Sequence, residues 1–193
     1  MWRQLAPAQC ARRVEDIDLD ALRAQGIRGL LVDLDNTLTP WRGYEMTPAC
    51  REWLSRAGRE FRVCLLSNAL RARRVRSIAE SLGVPYVQGL GPWGKPWRNA
   101  YRRALKQTGT APGETAMIGD QLLVDVLGAR RCGVLPILVQ PIASREFLGT
   151  RLTRRLARHL ERVLRRRGLW PEEEPPAPGG GGTASEAGEE VQA

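Results

Sequence analysis

The sequence predicts an α/β fold of three layers, with a central parallel sheet between two layers of helices. Three observations carry that reading. Five short apolar runs recur along the chain, too short for helices and bounded by glycine, proline or polar residues. Stretches with apolar residues at helical spacing separate them, and strands alternating with helices imply parallel crossovers. Finally, the runs tend to end on acids, a hydroxyl or an amide, and in an open α/β sheet ligands bind at the C-terminal ends of the strands.

Taken in order, residues 11–25 place Val14, Ile17, Leu19 and Leu22 among acids and predict one or two short lead-in helices, stopped by Gly26. The first strand covers Gly29–Val32 and delivers Asp33 and Asp35 at its end. After a loop over 39–46, Thr47-Pro48 supplies an N-cap with proline at the first helical position, opening a helix to about Ala57 that Gly58 closes. Trp53, Leu54 and Ala57 form its inward face.

Residues 61–66 predict a second strand that ends on Ser67-Asn68. The arginine-studded helix beyond it has Val75, Ile78, Ala79 and Leu82 as its apolar stripe and Gly83 as its stop. A third short strand covers 84–87, and a glycine-rich turn then presents Lys95 at the start of a helix running to about Gln107. The fourth strand, 115–118, ends at Gly119-Asp120. A helix over 122–131 carries Asp125, and 135–139 is the fifth strand. A last amphipathic helix, 145–168, sets Leu148, Leu152, Leu156, Leu160, Val163 and Leu164 against a crowd of arginines. Residues 1–170 therefore read as one domain. Residues 171–193, rich in proline, glycine and glutamate, cannot build a core and read as a disordered tail.

Composition narrows the chemistry. Four scattered cysteines without a CxxC pair and a single histidine, His159, argue against a zinc site. A metal here would be a hard cation held by oxygen, which points to Mg2+. No apolar run is long enough to span a bilayer, and the N-terminus does not read as a secretory signal. The chain therefore reads as a cytoplasmic protein. Its net charge of +9 understates the basicity of the ordered part: the tail carries six glutamates and no base, leaving +15 on 1–170. Such an excess favours polyanionic surroundings: anionic lipid, nucleic acid or phosphorylated substrates. Lys95 and Lys106 are the only lysines among 30 basic residues, so a lysine set as Gly94-Lys95-Pro96 calls for a chemical reason.

Asp33, Asp35, Ser67, Lys95, Asp120 and Asp125 converge on one predicted rim. Several carboxylates, a hydroxyl and an ammonium beside helix N-termini suit a phosphoryl group with a divalent cation. In that chemistry Asp33 attacks phosphorus, and Asp35 protonates the leaving oxygen and then activates water. Asp33 and Asp120 hold the metal, while Ser67 and Lys95 hold phosphoryl oxygens, with Asn68 a further phosphate-binding candidate beside them. Other readings stay open: Ser67 as a cap of the following helix, Asp125 as a surface acid, Asn68 as a structural neighbour of the phosphate-binding pair.

The order Asp33-Leu34-Asp35-Asn36-Thr37-Leu38, Ser67, Lys95 and Gly119-Asp120…Asp125 resembles the haloacid dehalogenase (HAD) superfamily of phosphatases. That resemblance implies a Rossmann-like core with Asp33 as nucleophile and Asp35 as acid/base whose backbone carbonyl also meets the metal. Asp120 would be a magnesium ligand and Asp125 its support. The intervals 39–66 and 68–94 are filled by predicted core elements and leave no room for a cap domain. An open site of this kind suits a phosphate carried on something large. Gly26-Ile27-Arg28-Gly29-Leu30, the stretch Asp120–Gly128 and Val139-Gln140-Pro141-Ile142-Ala143 are similar to the YqeG family within this capless group. Its relatives include phosphatidylglycerophosphate phosphatases, which makes that lipid the leading candidate substrate. Trp41, Trp93 and Trp97 near the rim fit a membrane interface, as does the basic last helix on anionic lipid. Equally, the tryptophans could be core residues and the helix could simply pack its leucines inward. Alternatives are a phosphatase of a soluble sugar or nucleotide phosphate, and a non-enzymatic protein binding RNA or the ribosome. The complete acid set disfavours nucleic acid as partner.

Overall fold

The computed structural model describes residues 2–142 and 150–171. Its strands are β1 (Gln9–Ala11), β2 (Gly29–Val32), β3 (Arg62–Ser67), β4 (Tyr86–Gln88), β5 (Thr115–Gly119) and β6 (Leu135–Val139). They form one parallel sheet in the order β1-β6-β5-β2-β3-β4. The helices are α1 (Leu19–Ala24), α2 (Pro48–Glu60), α3 (Ala72–Leu82), α4 (Arg98–Thr108), α5 (Leu127–Cys132) and α6 (Thr150–Arg166).

The chain lays β2, β3 and β4 outward in one direction and then returns to place β5 and β6 on the other side, where β6 pairs with the N-terminal β1. The reversal falls beside β2, and the crevice at such a switch point is where open α/β sheets bind ligands. Asp33 is seated there by a backbone bond from its N–H to the Ile118 carbonyl, 2.9 Å, which extends the β2–β5 ladder by one residue.

Alternation along the strands makes the three layers. Leu30, Val32, Val63, Leu65, Ala116 and Ile118 point to one face, where Trp53, Ala57, Val75 and Ile78 of α2 and α3 cover them. Leu31, Cys64, Leu66 and Met117 point to the other and meet Ala100, Tyr101 and Ala104 of α4 and Ala129 of α5. A strand apolar on both sides is what a doubly covered parallel sheet requires.

Several boundaries differ from the sequence reading. The sheet has six strands, because Gln9–Ala11 adds to β6 as an edge strand. Three residues with one polar end carry no apolar run, and only the partner reveals them. Helix α2 runs through Gly58 to Glu60, so that glycine is helical and Phe61 is the cap. The predicted helix over 122–131 opens with a wide π-type turn, Leu122–Val126, before α5. Lys95 precedes the N-cap of α4, Trp97, by two residues.

Helix α6 buries Leu160 and Leu164 in one cluster with Leu5, Ala6, Leu122 and Val126, joined by Leu138 of β6, so its leucines pack on the N-terminal turn, the Asp125 segment and the edge of the sheet. Leu156 on the same helix stays exposed. The expected helical start at 145–149 and nearly all of the predicted tail lie outside the described residues. Among the described residues no helix is long and apolar enough to cross a membrane. Leu31 is fully buried between β3 and β5. Leu31→Ala should therefore cost about 2–5 kcal/mol in a urea unfolding series.

Candidate active site

Lys95 organises the site. Its side chain is buried, and its Nζ lies 2.5 Å from Asp33 Oδ1 and 2.7 Å from Asp125 Oδ1. One ammonium thus joins the end of β2, the loop before α4 and the turn after β5. Asp33, Asp120 and Asp125 each offer an oxygen, all within 4.8 Å of one another. Two buried carboxylates, Asp33 and Asp125, against one ammonium leave a local excess of negative charge. Burial of this kind is costly unless a cation compensates it. Hard oxygen donors at this spacing fit Mg2+.

The electrostatics record the same imbalance. Burial pushes the Asp33 carboxyl up to about 6, against the pull of Lys95 and with the push of Asp125. For Lys95, burial acts downward, but Asp125 and Asp33 outweigh it and hold the ammonium above its usual range.

Local sequence explains how these groups meet. An ideal Cβ on Gly119 would fall 2.4 Å from the Asp125 carboxylate, so only glycine lets that side chain fold back over the end of β5. Asp125 Oδ2 accepts from the Gln121 N–H at 3.0 Å, and Tyr101 donates to the Asp125 carbonyl at 2.9 Å. On the other side, Gly94 passes so close to Gly89 that a Cβ would lie 2.6 Å from the Gly89 carbonyl oxygen. Asn68 clasps the same loop: its amide accepts from Lys95 N–H and donates to Lys95 C=O, both at 2.8 Å. The Asn68 side chain is therefore committed to placing Lys95. Ser67 Oγ accepts from Ala69 N–H at 3.1 Å, forming a turn before α3, whose N-cap is Arg71. Ser67 is thus not the helix cap. Its place at the cleft wall beside Asp33 and Lys95 suits the phosphate-binding role.

Asp35 follows a separate design. Asn36 takes a left-handed conformation, φ 63°, which asparagine tolerates, and turns the chain back so that Asn36 N–H bonds Thr39 C=O. The Asp35 carboxylate lies outside the three-acid cluster, and the resemblance assigns a metal contact to its backbone carbonyl alone. Its Oδ1 accepts from Arg42 N–H at 2.9 Å and pairs with Arg74 at 2.9 Å.

Arg74 escaped the sequence reading. It is 2% exposed, and its guanidinium also donates to Thr39 Oγ1 and to the Gly43 carbonyl, both at 2.7 Å. One planar cation therefore pins both Asp35 and the loop beyond it to α3. The signal was present: Arg74 stands four residues before Ile78, on the helix face that otherwise carries the apolar stripe.

The cleft over these groups has a volume of about 350 Å3 and is walled by Asp33, Asp35, Ser67, Arg74, Lys95 and Gln121 among others. Trp41 stands at its edge and, like Trp93 and Trp97, is exposed. The tryptophans are not core.

Comparison with known proteins agrees with this geometry. A family model described as HAD-hydrolase-like matches residues 92–143. Over 163 residues the chain is 34% identical to "Probable phosphatase YqeG" of Bacillus subtilis, covering 84% of this chain and 92% of that protein. It is 28% identical over 160 residues to "Phosphatidylglycerophosphate phosphatase 1, chloroplastic" of Chlamydomonas reinhardtii, covering 78% of this chain and 58% of that protein. An uncharacterized protein from Listeria monocytogenes serotype 4b shares the fold, with a TM-score of 0.50 at 18% identity over 63% of this chain and 85% of its own.

Two outcomes test the site. Arg74→Ala should destabilise the protein by on the order of 3 kcal/mol, because it strands a carboxylate and two further acceptors. Arg74→Lys should recover only part of that loss, since a lysine cannot span three acceptors in one plane; paired denaturant melts read both. The second concerns pH. A carboxyl whose folded pKa, about 6, exceeds its ordinary value of 3.8 binds its proton more tightly in the folded state. Its contribution to stability is complete below pH 4 and is lost as pH rises through 6. With chelator present, wild type should lose on the order of 3 kcal/mol relative to Asp33→Asn between pH 4 and pH 7. Urea midpoints across that range check it, and a flat difference would contradict it.

Proposed function

The chain belongs to the YqeG family of HAD-superfamily phosphatases, and on that premise we propose that it hydrolyses the terminal phosphomonoester of phosphatidylglycerophosphate, yielding phosphatidylglycerol and phosphate. The observation that carries the reading is the open cleft. The residues between β2 and β3 and between β3 and β4 build only a loop, α2 and α3, so neither interval forms a cap over the cleft that Asp33 lines. A phosphate held on a bilayer needs such access. The plant-type relative named for this lipid reaction supports the substrate assignment.

In the proposed reaction an Asp33 oxygen attacks phosphorus and the bond to the glycerol oxygen breaks. Asp35 gives its proton to that departing oxygen. Both of its contacts engage Oδ1, leaving Oδ2 to carry the proton. Water then attacks the aspartyl-phosphate, Asp35 takes a proton from it, and the bond from phosphorus to Asp33 breaks to release phosphate. Lys95 and Ser67 hold the phosphoryl oxygens throughout, and Asn68 keeps Lys95 in place. Asp33, Asp120 and Asp125 would hold Mg2+, with the Asp35 carbonyl completing the set. When bound, the ion neutralises the phosphoryl charge and the excess of the carboxylates.

Phosphate release from phosphatidylglycerophosphate in mixed micelles, with Mg2+ and with chelator, tests the proposal beside a panel of sugar and nucleotide phosphates. Mg2+-dependent release favouring the lipid is expected, with Asp33→Asn losing at least about a thousandfold in turnover while staying folded. Release from soluble esters alone would remove the lipid assignment and leave the mechanism intact.

A further inference from the structure

Large apolar side chains are exposed at eight positions among the described residues, and seven of them share one edge of the molecule. Trp41 and Tyr44 follow β2, Leu70 follows β3, Leu90, Trp93 and Trp97 follow β4, and Ile142 follows β6. All therefore lie beyond the C-terminal ends of strands, on the side where Asp33 sits. The exposure is substantial: Leu70 73%, Trp93 60%, Trp97 54%. Ile142 is drawn in by a bond from its N–H to the Asn36 carbonyl, directly beside the catalytic turn.

Chance scatter of surface residues would spread over the whole molecule, whereas apolar clustering marks an interaction surface. Charge on the same edge names the partner. Arg42 and Arg71 lie in these loops and Arg73 and Arg98 in the first turns of α3 and α4, all exposed, while Glu45 is the one acid in the stretches that carry the exposed apolar residues, 39–47, 68–71, 89–97 and 140–142; the other acids of this edge are those of the cleft and of the loop after β1. Arg42 stacks over the Trp41 ring at 4.2 Å. Tryptophan and tyrosine interleaved with arginine are what a bilayer interface with anionic headgroups selects.

We propose that this edge is a membrane-docking face. Trp41, Leu70, Trp93 and Trp97 enter the headgroup region of an anionic bilayer while Arg42 and Arg71 pair with lipid phosphates, so that the cleft opens directly onto the lipid surface. The basic helix α6 is not the anchor. Its Leu160 and Leu164 are spent on the protein core, and its C-terminal end reaches Ala8, before the start of β1 and hence at the opposite edge of the sheet. The inference adds an orientation to the phosphatase reading above and rests on it for the purpose of docking.

The test uses the full chain and vesicles without a phosphomonoester, so that its result is independent of hydrolysis. Sedimentation with phosphatidylcholine vesicles containing phosphatidylglycerol should retain the protein, and pure phosphatidylcholine should not. Arg42→Gln with Arg71→Gln should weaken partition about thirtyfold, and Trp93→Ala with Trp97→Ala at least about tenfold. Orientation is read separately by a nitroxide on Leu70→Cys or on Arg162→Cys, in a Cys132→Ser background, since the other three cysteines are buried. The label at 70 should become accessible to oxygen and shielded from an aqueous nickel chelate, while the label at 162 stays in water. A shielded label at 162 with a wet label at 70 would overturn the proposal in favour of α6. Absence of binding, or unchanged binding in the tryptophan variant, would overturn it outright, even if micellar phosphatidylglycerophosphate is still hydrolysed. Tighter retention on single-stranded RNA through the same arginines would assign the face to nucleic acid instead.

Discussion

The acid cluster of the site depends on one buried ammonium. Lys95 bridges Asp33 and Asp125, which come from different strands, and its own loop is carried by a third. Without that cation the two carboxylates would repel across a low-dielectric gap, and the ends of β2 and β5 could not close on each other. The surrounding oddities of sequence follow from this constraint. Gly119 makes room for Asp125, Gly94 lets the lysine loop cross the chain near Gly89, and Asn68 spends both ends of its amide on the Lys95 backbone. The rarity of lysine in so arginine-rich a chain has a reason here as well. A guanidinium is wider than the space between two converging carboxylates, whereas a compact ammonium with three donors fits.

The arrangement is also deliberately incomplete. One ammonium against two buried carboxylates leaves charge unneutralised, and burial then disfavours the ionised form of Asp33, the residue proposed as nucleophile. Such a cluster is less stable than an apolar filling of the same volume would be. Stability is given up at the point where binding a divalent cation and a phosphoryl group restores the balance. Asp35 stands apart from this economy, held by Arg74 and a backbone N–H, and so has a carboxylate whose position does not depend on the metal cluster.

Much of this was legible in the sequence because the signal was local. Asp33, Asp35, Ser67, Asp120 and Asp125 each follow a recognisable strand, and strand ends in a parallel sheet share one edge. The layers were equally plain, since β2, β3 and β5 are apolar on both faces. What escaped depended on partners distant in the chain. Gln9–Ala11 has no strand signature until β6 lies beside it. Arg74 looked like one of several arginines in its helix, and its burial became intelligible only with Asp35, Thr39 and Gly43 around it. The π-type turn at Leu122–Val126 follows from bringing Asp125 back toward Gly119, a demand no helical periodicity expresses.

The edge strand β1 has a consequence for how the molecule comes to be made. Among the described strands it comes earliest in the chain, yet Gln9 pairs with Ile137 and Ala11 with Val139 of the latest one. Strands β2 and β3, with α2 between them, can meet early through a short crossover, but β1 must wait unpaired until nearly the whole domain has emerged. Closing so long a loop is slow, and topologies rich in distant contacts fold slowly for the same reason. Completion of the sheet therefore marks the end of folding. Until then the outer edge of β6 stays open to pairing with another chain, and a molecule truncated at its N-terminus would keep that sticky edge for life.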